Sequence, residues 1–121
     1  MSEEKFACTP EGMMAAQAFL ESHCVEPKPA IIMDEIVSNI VRCSGAKAFS
    51  IAFDRNDVGI AMTFSDDGMP FDPTKDAAPP NLDAPLEKRD VGGLGIFMVK
   101  KMAREVSYRR IDNSNVLKVV L

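Results

Sequence analysis

Phe49-Ser50-Ile51-Ala52-Phe53-Asp54-Arg55-Asn56-Asp57-Val58-Gly59-Ile60-Ala61-Met62-Thr63-Phe64 decides the fold. Phe49, Ile51 and Phe53 alternate with small or polar residues, and so do Ile60, Met62 and Phe64. A period of two is that of a strand with one buried face. The polar Asp54-Arg55-Asn56-Asp57 between the two runs reads as the connection of an antiparallel hairpin. A second hairpin is predicted at the end of the chain, with strands at 106–111 and 116–121 and a turn at Asp112-Asn113-Ser114-Asn115.

Outward from these hairpins the period changes to that of helices. Thr9-Pro10-Glu11 is a helix start, with Thr9 as N-cap and Pro10 at the first helical position. Met13, Ala16, Gln17 and Leu20 follow at helical spacing, and the helix is expected to end near residues 23–25. Pro27 and Pro29 read as a short break before a second helix over roughly 30–43, closed by Ser44-Gly45. A third helix is expected over about 95–105, with Ile96, Val99, Met102, Ala103 and Val106 on its apolar side. Between Asp66 and Val91 the chain holds Pro70, Pro73, Pro79, Pro80 and Pro85 and no clean period. A loop of that length inside a compact domain is often an active-site lid. The order strand–helix–helix–hairpin–loop–helix–hairpin predicts an α+β fold. It is a two-layer α/β sandwich, a mostly antiparallel sheet with helices on one face, in a single domain over 1–121.

Composition bounds the function. With 121 residues, 46% apolar and 26% charged, the chain is an ordinary globular one. Its net charge of −4 argues against direct binding of nucleic acid, which calls for a basic surface, but not against one small phosphorylated ligand. Cys8, Cys24 and Cys43 are odd in number and far apart, which fits a reducing compartment better than a disulfide or zinc framework. No apolar run approaches the ~18 residues of a membrane span. The acidic N-terminus lacks the basic-then-apolar order of a signal peptide. A cytoplasmic location with no membrane contact is expected.

Three segments could carry chemistry. Glu35, Asn39 and Arg42 share an arc of roughly 60° on the second helix, at ~100° per residue, beside the apolar face of Ile32, Met33, Ile36, Val37 and Ile40. A carboxylate there suits a general base, and an amide oxygen suits Mg²⁺, which takes few protein ligands. The same residues also read as an ordinary polar helix edge. Ser65-Asp66-Asp67-Gly68-Met69-Pro70-Phe71-Asp72-Pro73 follows a strand. It reads as a turn, or as a strand-end carboxylate accepting from a ligand amine while Gly68 lets a flat ring approach. Val91-Gly92-Gly93-Leu94-Gly95-Ile96 opens the third helix, either as a tight helix entry or as a phosphate cradle of free N–H groups, with Lys88 and Arg89 adding charge. It matches neither the P-loop nor the Rossmann fingerprint. Of the remaining features, His23 reads as a solvated helix-terminal residue. Lys100, Lys101, Arg104, Arg109 and Arg110 read as a solvated face or a docking patch for an acidic partner.

Taken together, these segments resemble the histidine-kinase-type ATPase domain shared with DNA gyrase, above all its small anti-sigma-factor serine/threonine kinase branch. Glu35-Ile36-Val37-Ser38-Asn39 resembles the Glu-x-x-x-Asn box of that family. Asp66-Asp67-Gly68-Met69-Pro70-Phe71-Asp72-Pro73 resembles its Asp-x-Gly-x-Gly box in a Pro-Phe-Asp-Pro variant, with Pro70 in place of the second glycine. Gly92-Gly93-Leu94-Gly95 resembles its second glycine box, and the likeness runs on through 105–110 and the polar turn containing Asn115. Cys43 stands where many relatives have His. The resemblance implies ATP and Mg²⁺ as ligands, Glu35 as general base and Asn39 as the Mg²⁺ ligand. It implies Asp66 as acceptor from the adenine amine, Gly68 beside the ring, and Gly92, Gly93, Leu94 and Gly95 at the phosphates under a lid over about 70–91. It also implies an anti-anti-sigma protein or a sigma factor as partner, and a homodimer.

Overall fold

The 49–64 hairpin forms the centre of a five-stranded sheet. The computed structural model describes residues 2–57, 59–74 and 91–121. In chain order these build β1 (Ser2–Ala7), α1 (Pro10–Glu21), α2 (Pro27–Asn39), a π-helical turn (Ile40–Ser44), β2 (Ala48–Arg55), β3 (Ile60–Asp66), α3 (Val91–Met102), β4 (Glu105–Ile111) and β5 (Ser114–Val120). The strands lie in the order β1-β2-β3-β5-β4, and every neighbouring pair is antiparallel. With three helices against this open sheet, the expected α+β sandwich is the one observed.

The period of two sorts the sheet into rows. Phe53, Met62, Val119 and Val106 stand opposite one another, and one row further come Ile51, Phe64, Leu117 and Tyr108. Most of these are fully buried. They pack against Ala16 and Leu20 of α1, Ile32, Met33, Ile36 and Val37 of α2 and Val99 of α3. Each large apolar side chain removed from water this way contributes about 1.5–3 kcal/mol. The third row, Phe49–Asp66–Asn115–Arg110, lies on the same face, and there the core turns polar.

Helix boundaries follow from caps. Thr9 is extended, and its Oγ1 accepts from the Gly12 N–H at 3.0 Å, so α1 begins where the capping pattern predicted. α2 begins earlier than expected. Pro27 and Pro29 are not a break but the first turn of the helix, where backbone N–H groups have no helical partner to lose. At its other end the helix widens into the π turn and stops at Gly45, whose φ of 67° suits a residue without Cβ. α3 likewise starts at Val91, four residues before the expected Gly95, and ends at Met102 because Glu105 and Val106 are drawn into the sheet. The last turn has only two residues between the strands, Asp112 and Asn113, both with positive φ. Such two-residue turns match the twist of a hairpin, so Ser114 and Asn115 belong to β5 and not to the turn.

His23 is half-buried, not solvated: its ring stands 4.7 Å from that of Phe19 and 5.5 Å from that of Phe53. No helix among the described residues is long and apolar enough to cross a membrane.

Candidate functional site

At the polar row, register brings Asp66, Asn115 and Arg110 side by side at one end of the sheet. Asn115 is 4% exposed and Asp66 7%. The Asn115 amide Nδ2 donates to Asp66 Oδ1 at 3.0 Å and to the Met69 carbonyl at 2.8 Å. Its Oδ1 accepts from the Phe71 N–H at 3.2 Å, from Arg110 Nη1 at 3.1 Å and from the Tyr108 hydroxyl. Asp66 Oδ1 accepts a further bond from the Gly68 N–H at 2.9 Å, and Arg110 Nη1 also donates to the Gly68 carbonyl at 2.8 Å. One side chain thus ties the segment after β3 to the β4–β5 hairpin.

Facing this network is the C-terminal end of α2. Asn39 is 3% exposed, yet among the described residues neither its Oδ1 nor its Nδ2 has a hydrogen-bond partner. Buried polar atoms are nearly always paired, and leaving them unpaired costs about 1–3 kcal/mol. Asn39 and Asp66 line one narrow cleft with Ile36, Phe64, Phe71 and Asn115, whose cavity volume is about 20 Å³. The wall is mostly apolar with a few converging polar groups, the usual character of a small-molecule site. An unpaired amide oxygen here fits a hard cation such as Mg²⁺ that keeps water and phosphate oxygens as its other ligands.

The π turn after Asn39 sets the floor. Ser44 is buried and its Oγ donates to the Ile40 carbonyl at 2.8 Å, while its own carbonyl accepts from the Met69 N–H at 2.8 Å. A Cβ on Gly68 would stand 2.4 Å from the Ser44 carbonyl oxygen. Gly68 is therefore required by the docking of this loop on the π turn, whatever approaches its other side. The two adjacent aspartates divide their work. Asp66 points into the cleft. Asp67 points out and accepts from the Lys47 N–H at 3.0 Å and the Ala48 N–H at 3.4 Å, and these bonds hold its carboxyl below the usual range.

Glu35 is half-exposed and lines a separate, shallow concavity with Met13, Ser38, Val41 and Arg42. Gly92, Gly93, Leu94 and Gly95 lie in the first turns of α3. Lys88, Arg89 and the part of the expected lid over 75–90 lie outside the described residues. Lys100 Nζ donates to the Thr74 carbonyl at 2.9 Å, so this lysine ties α3 to the segment after β3 instead of standing free. Among the described residues no cluster of three or more His, Cys, Asp or Glu could hold a metal by itself. A cation held through Asn39 would depend on a phosphate-bearing ligand.

Asn115, Arg110, Tyr108 and Ser44 were not singled out as site residues by their sequence pattern. For Asn115 the signal exists: it alternates with Leu117 and Val119, which places it on the buried face. Arg110, read as part of a solvated face, belongs to the site.

A family described as the histidine kinase-like ATPase domain matches residues 10–121. No curated protein matches the chain.

Proposed function

We propose, from the premise that the chain belongs to the histidine kinase-like ATPase family, that it is an ATP-dependent cytoplasmic regulator. In this reading it is a kinase that moves the γ-phosphoryl group of ATP to a serine or threonine hydroxyl of an anti-anti-sigma protein. The observation that carries the reading is the Asn39 amide, buried in the cleft with both polar atoms unpaired among the described residues. Asn39 Oδ1 would hold Mg²⁺, which when bound supplies neutralisation of phosphate charge. Asp66 accepts from the exocyclic amine of adenine, and the N–H groups of Gly92, Gly93, Leu94 and Gly95 at the start of α3 serve the phosphates. Glu35 takes the proton of the attacking hydroxyl as its oxygen bonds to the γ-phosphorus. The bond from that phosphorus to the bridging oxygen breaks, and its electron pair leaves with ADP.

A second reading is a binding module that holds ATP and sequesters a sigma factor without transfer. It is favoured by the position of Glu35, which lines a surface concavity separate from the cleft of Asn39 and Asp66. One set of measurements tests both. Mg²⁺-ATP at 100 times its Kd is expected to stabilise the wild type by ~2.7 kcal/mol, roughly 8–15 °C in midpoint, and Asn39→Ala is expected to lose most of that shift. No shift at millimolar ATP refutes nucleotide binding. Glu35→Gln should keep the shift and lose phosphoryl transfer; stable capture of a sigma factor with no transfer even by the wild type selects the module.

A further inference from the structure

A groove of about 580 Å³ runs between the end of α1 and the start of α2. Gln17, Leu20 and Glu21 line it from α1, and Ala30, Met33 and Asp34 line it from α2, each set at the spacing of one helix face. Leu20 and Met33 are only 2% exposed, so the floor is the outer surface of the apolar core. Val25, at the turn between the helices, borders the groove and is 94% exposed. A bare apolar side chain is ordinary when scattered, but beside an apolar concavity it extends a contact surface. None of these residues lines the Asn39 cleft. The charges of the groove have one sign: its ionisable carboxylates are Glu21, Glu26 and Asp34, and no lysine or arginine lines it. Arg55 matches Glu26 from outside the groove. Asp34 accepts only from the neutral Gln17 amide, at 3.5 Å, and Lys28, the one cation of α2, does not line the groove. Two carboxylates unmatched among the described residues therefore remain, Glu21 on one wall and Asp34 on the other.

We infer that this groove docks an amphipathic helix of a partner protein, with an apolar ridge on the floor of Leu20 and Met33 and a lysine or arginine on each flank facing Glu21 and Asp34. The apolar floor calls for an apolar ridge, and the acids on opposite walls call for cations on both sides of it. A strand turns successive side chains to opposite faces, so its cations would point away from the walls. A helix carries flanking residues on both sides of an apolar stripe, and the stems of lysine and arginine lie along apolar surface while their heads reach the carboxylates. Laying such a helix into a groove is a common mode of recognition. The inference does not depend on what the Asn39 cleft binds.

The probe is a fluorescein-labelled helical peptide with a stripe of leucines and lysines on both flanks, titrated with the full chain and read by fluorescence anisotropy. Saturable binding in the micromolar range is expected, and the same peptide with glutamates for the lysines should bind about tenfold more weakly or worse. Glu21→Lys with Asp34→Lys, both on exposed side chains, should exchange the two preferences, so that the glutamate peptide becomes the tighter ligand. Glu4→Lys with Glu11→Lys makes the same change in net charge away from the groove and should alter the affinity by less than about twofold. No saturable binding of the lysine peptide, or equal binding of the two peptides, overturns the inference. So does an equal effect of the two double variants, which would place the peptide elsewhere on an acidic surface. A wild-type dimer in sedimentation that the groove variant dissolves would make a second copy the occupant, against the proposal. Should the groove variant not fold, Val25→Ser decides: it removes apolar surface from the rim and should weaken the lysine peptide about threefold, and an unchanged affinity overturns the docking site.

Discussion

Asn39 and Asn115 line the same cleft, are almost equally buried, and differ completely in their bonding. Asn115 sits on a strand, where register delivers neighbours on both sides, and both ends of its amide are engaged. Asn39 sits at the end of a helix beside a π turn. Among the described residues nothing pairs with either end of its amide. The same side chain is bonded into the architecture in one place and, among the described residues, stands without a partner in the other. A buried, satisfied amide stabilises the fold that surrounds it. A buried, unsatisfied amide lowers stability and calls for a partner, which in the proposed function is a ligand. Wide helical turns such as the one after Asn39 are frequent at functional sites, in keeping with this division.

The largest effect that would break the comparison is at Asn115. Asn115→Ala removes five hydrogen bonds and leaves Asp66 with one fewer donor in a buried place. The loss of stability should be about 3 kcal/mol, read as a lower midpoint in urea with an unchanged slope. A loss below about 1 kcal/mol would mean that water replaces the network at little expense, and the two asparagines would no longer differ in kind.

The reverse substitution sharpens the comparison. Asn39→Leu is close to isosteric and removes a polar group that has no described partner. Without nucleotide it should be neutral or stabilising by about 1 kcal/mol, since the amide gives up nothing on the protein side. The same variant should show no stabilisation by Mg²⁺-ATP. Equilibrium unfolding in urea with and without ligand measures both. Destabilisation of the ligand-free chain by 2 kcal/mol or so would show that Asn39 is satisfied after all.

Most of this fold was legible in the sequence because its strands are amphipathic. The alternation of Phe49, Ile51 and Phe53 and of Ile60, Met62 and Phe64 gives the hairpin and its buried face, and the structure pairs Phe53 with Met62 and Ile51 with Phe64. The register was not legible, for Phe49 stands opposite Asp66 and Ile60 opposite Arg55, and Asp54 and Arg55 extend β2 instead of forming the connection. The helix starts were less legible. Pro27 and Pro29 suit a break and a first turn equally well, and only tertiary packing of α2 chooses between them. Glu35, Asn39 and Asp66 could be singled out because spacing on a helix and position at a strand end are local properties. The contact between Gly68 and Ser44 could not be read, since it joins residues 24 apart through a π turn that no local pattern announces. Asn115 was legible in principle: the alternation that buries Leu117 and Val119 buries it too, but an Asn beside Asp112-Asn113 reads first as part of the turn.

The opposite end of α2 supplies the control for both asparagines, a polar group that is paired but exposed. Glu26 Oε1 and Oε2 accept from Arg55 Nη1 and Nη2 at 3.0 and 2.9 Å, a two-pronged bridge from the start of the helix to the end of β2. The bonds from Arg55 come first among the causes that lower the Glu26 carboxyl from its ordinary 4.5 to about 2. The unfolded chain therefore binds a proton at Glu26 more readily than the folded one does. The stability contributed by the bridge is fully present above about pH 4.5 and disappears as the pH falls through about 2. Both side chains are nearly half exposed, so water and salt screen the pair, and its contribution is expected to be the smallest of the three. Glu26→Gln should lower the urea midpoint slightly at pH 7. The gap to wild type should close as the pH is taken from 4.5 towards 2, and shrink in 1 M salt at any pH. A gap as wide as that of Asn115→Ala, or one that persists in acid, would mean that burial does not separate the three groups, and that pairing alone decides what a polar side chain contributes to this fold.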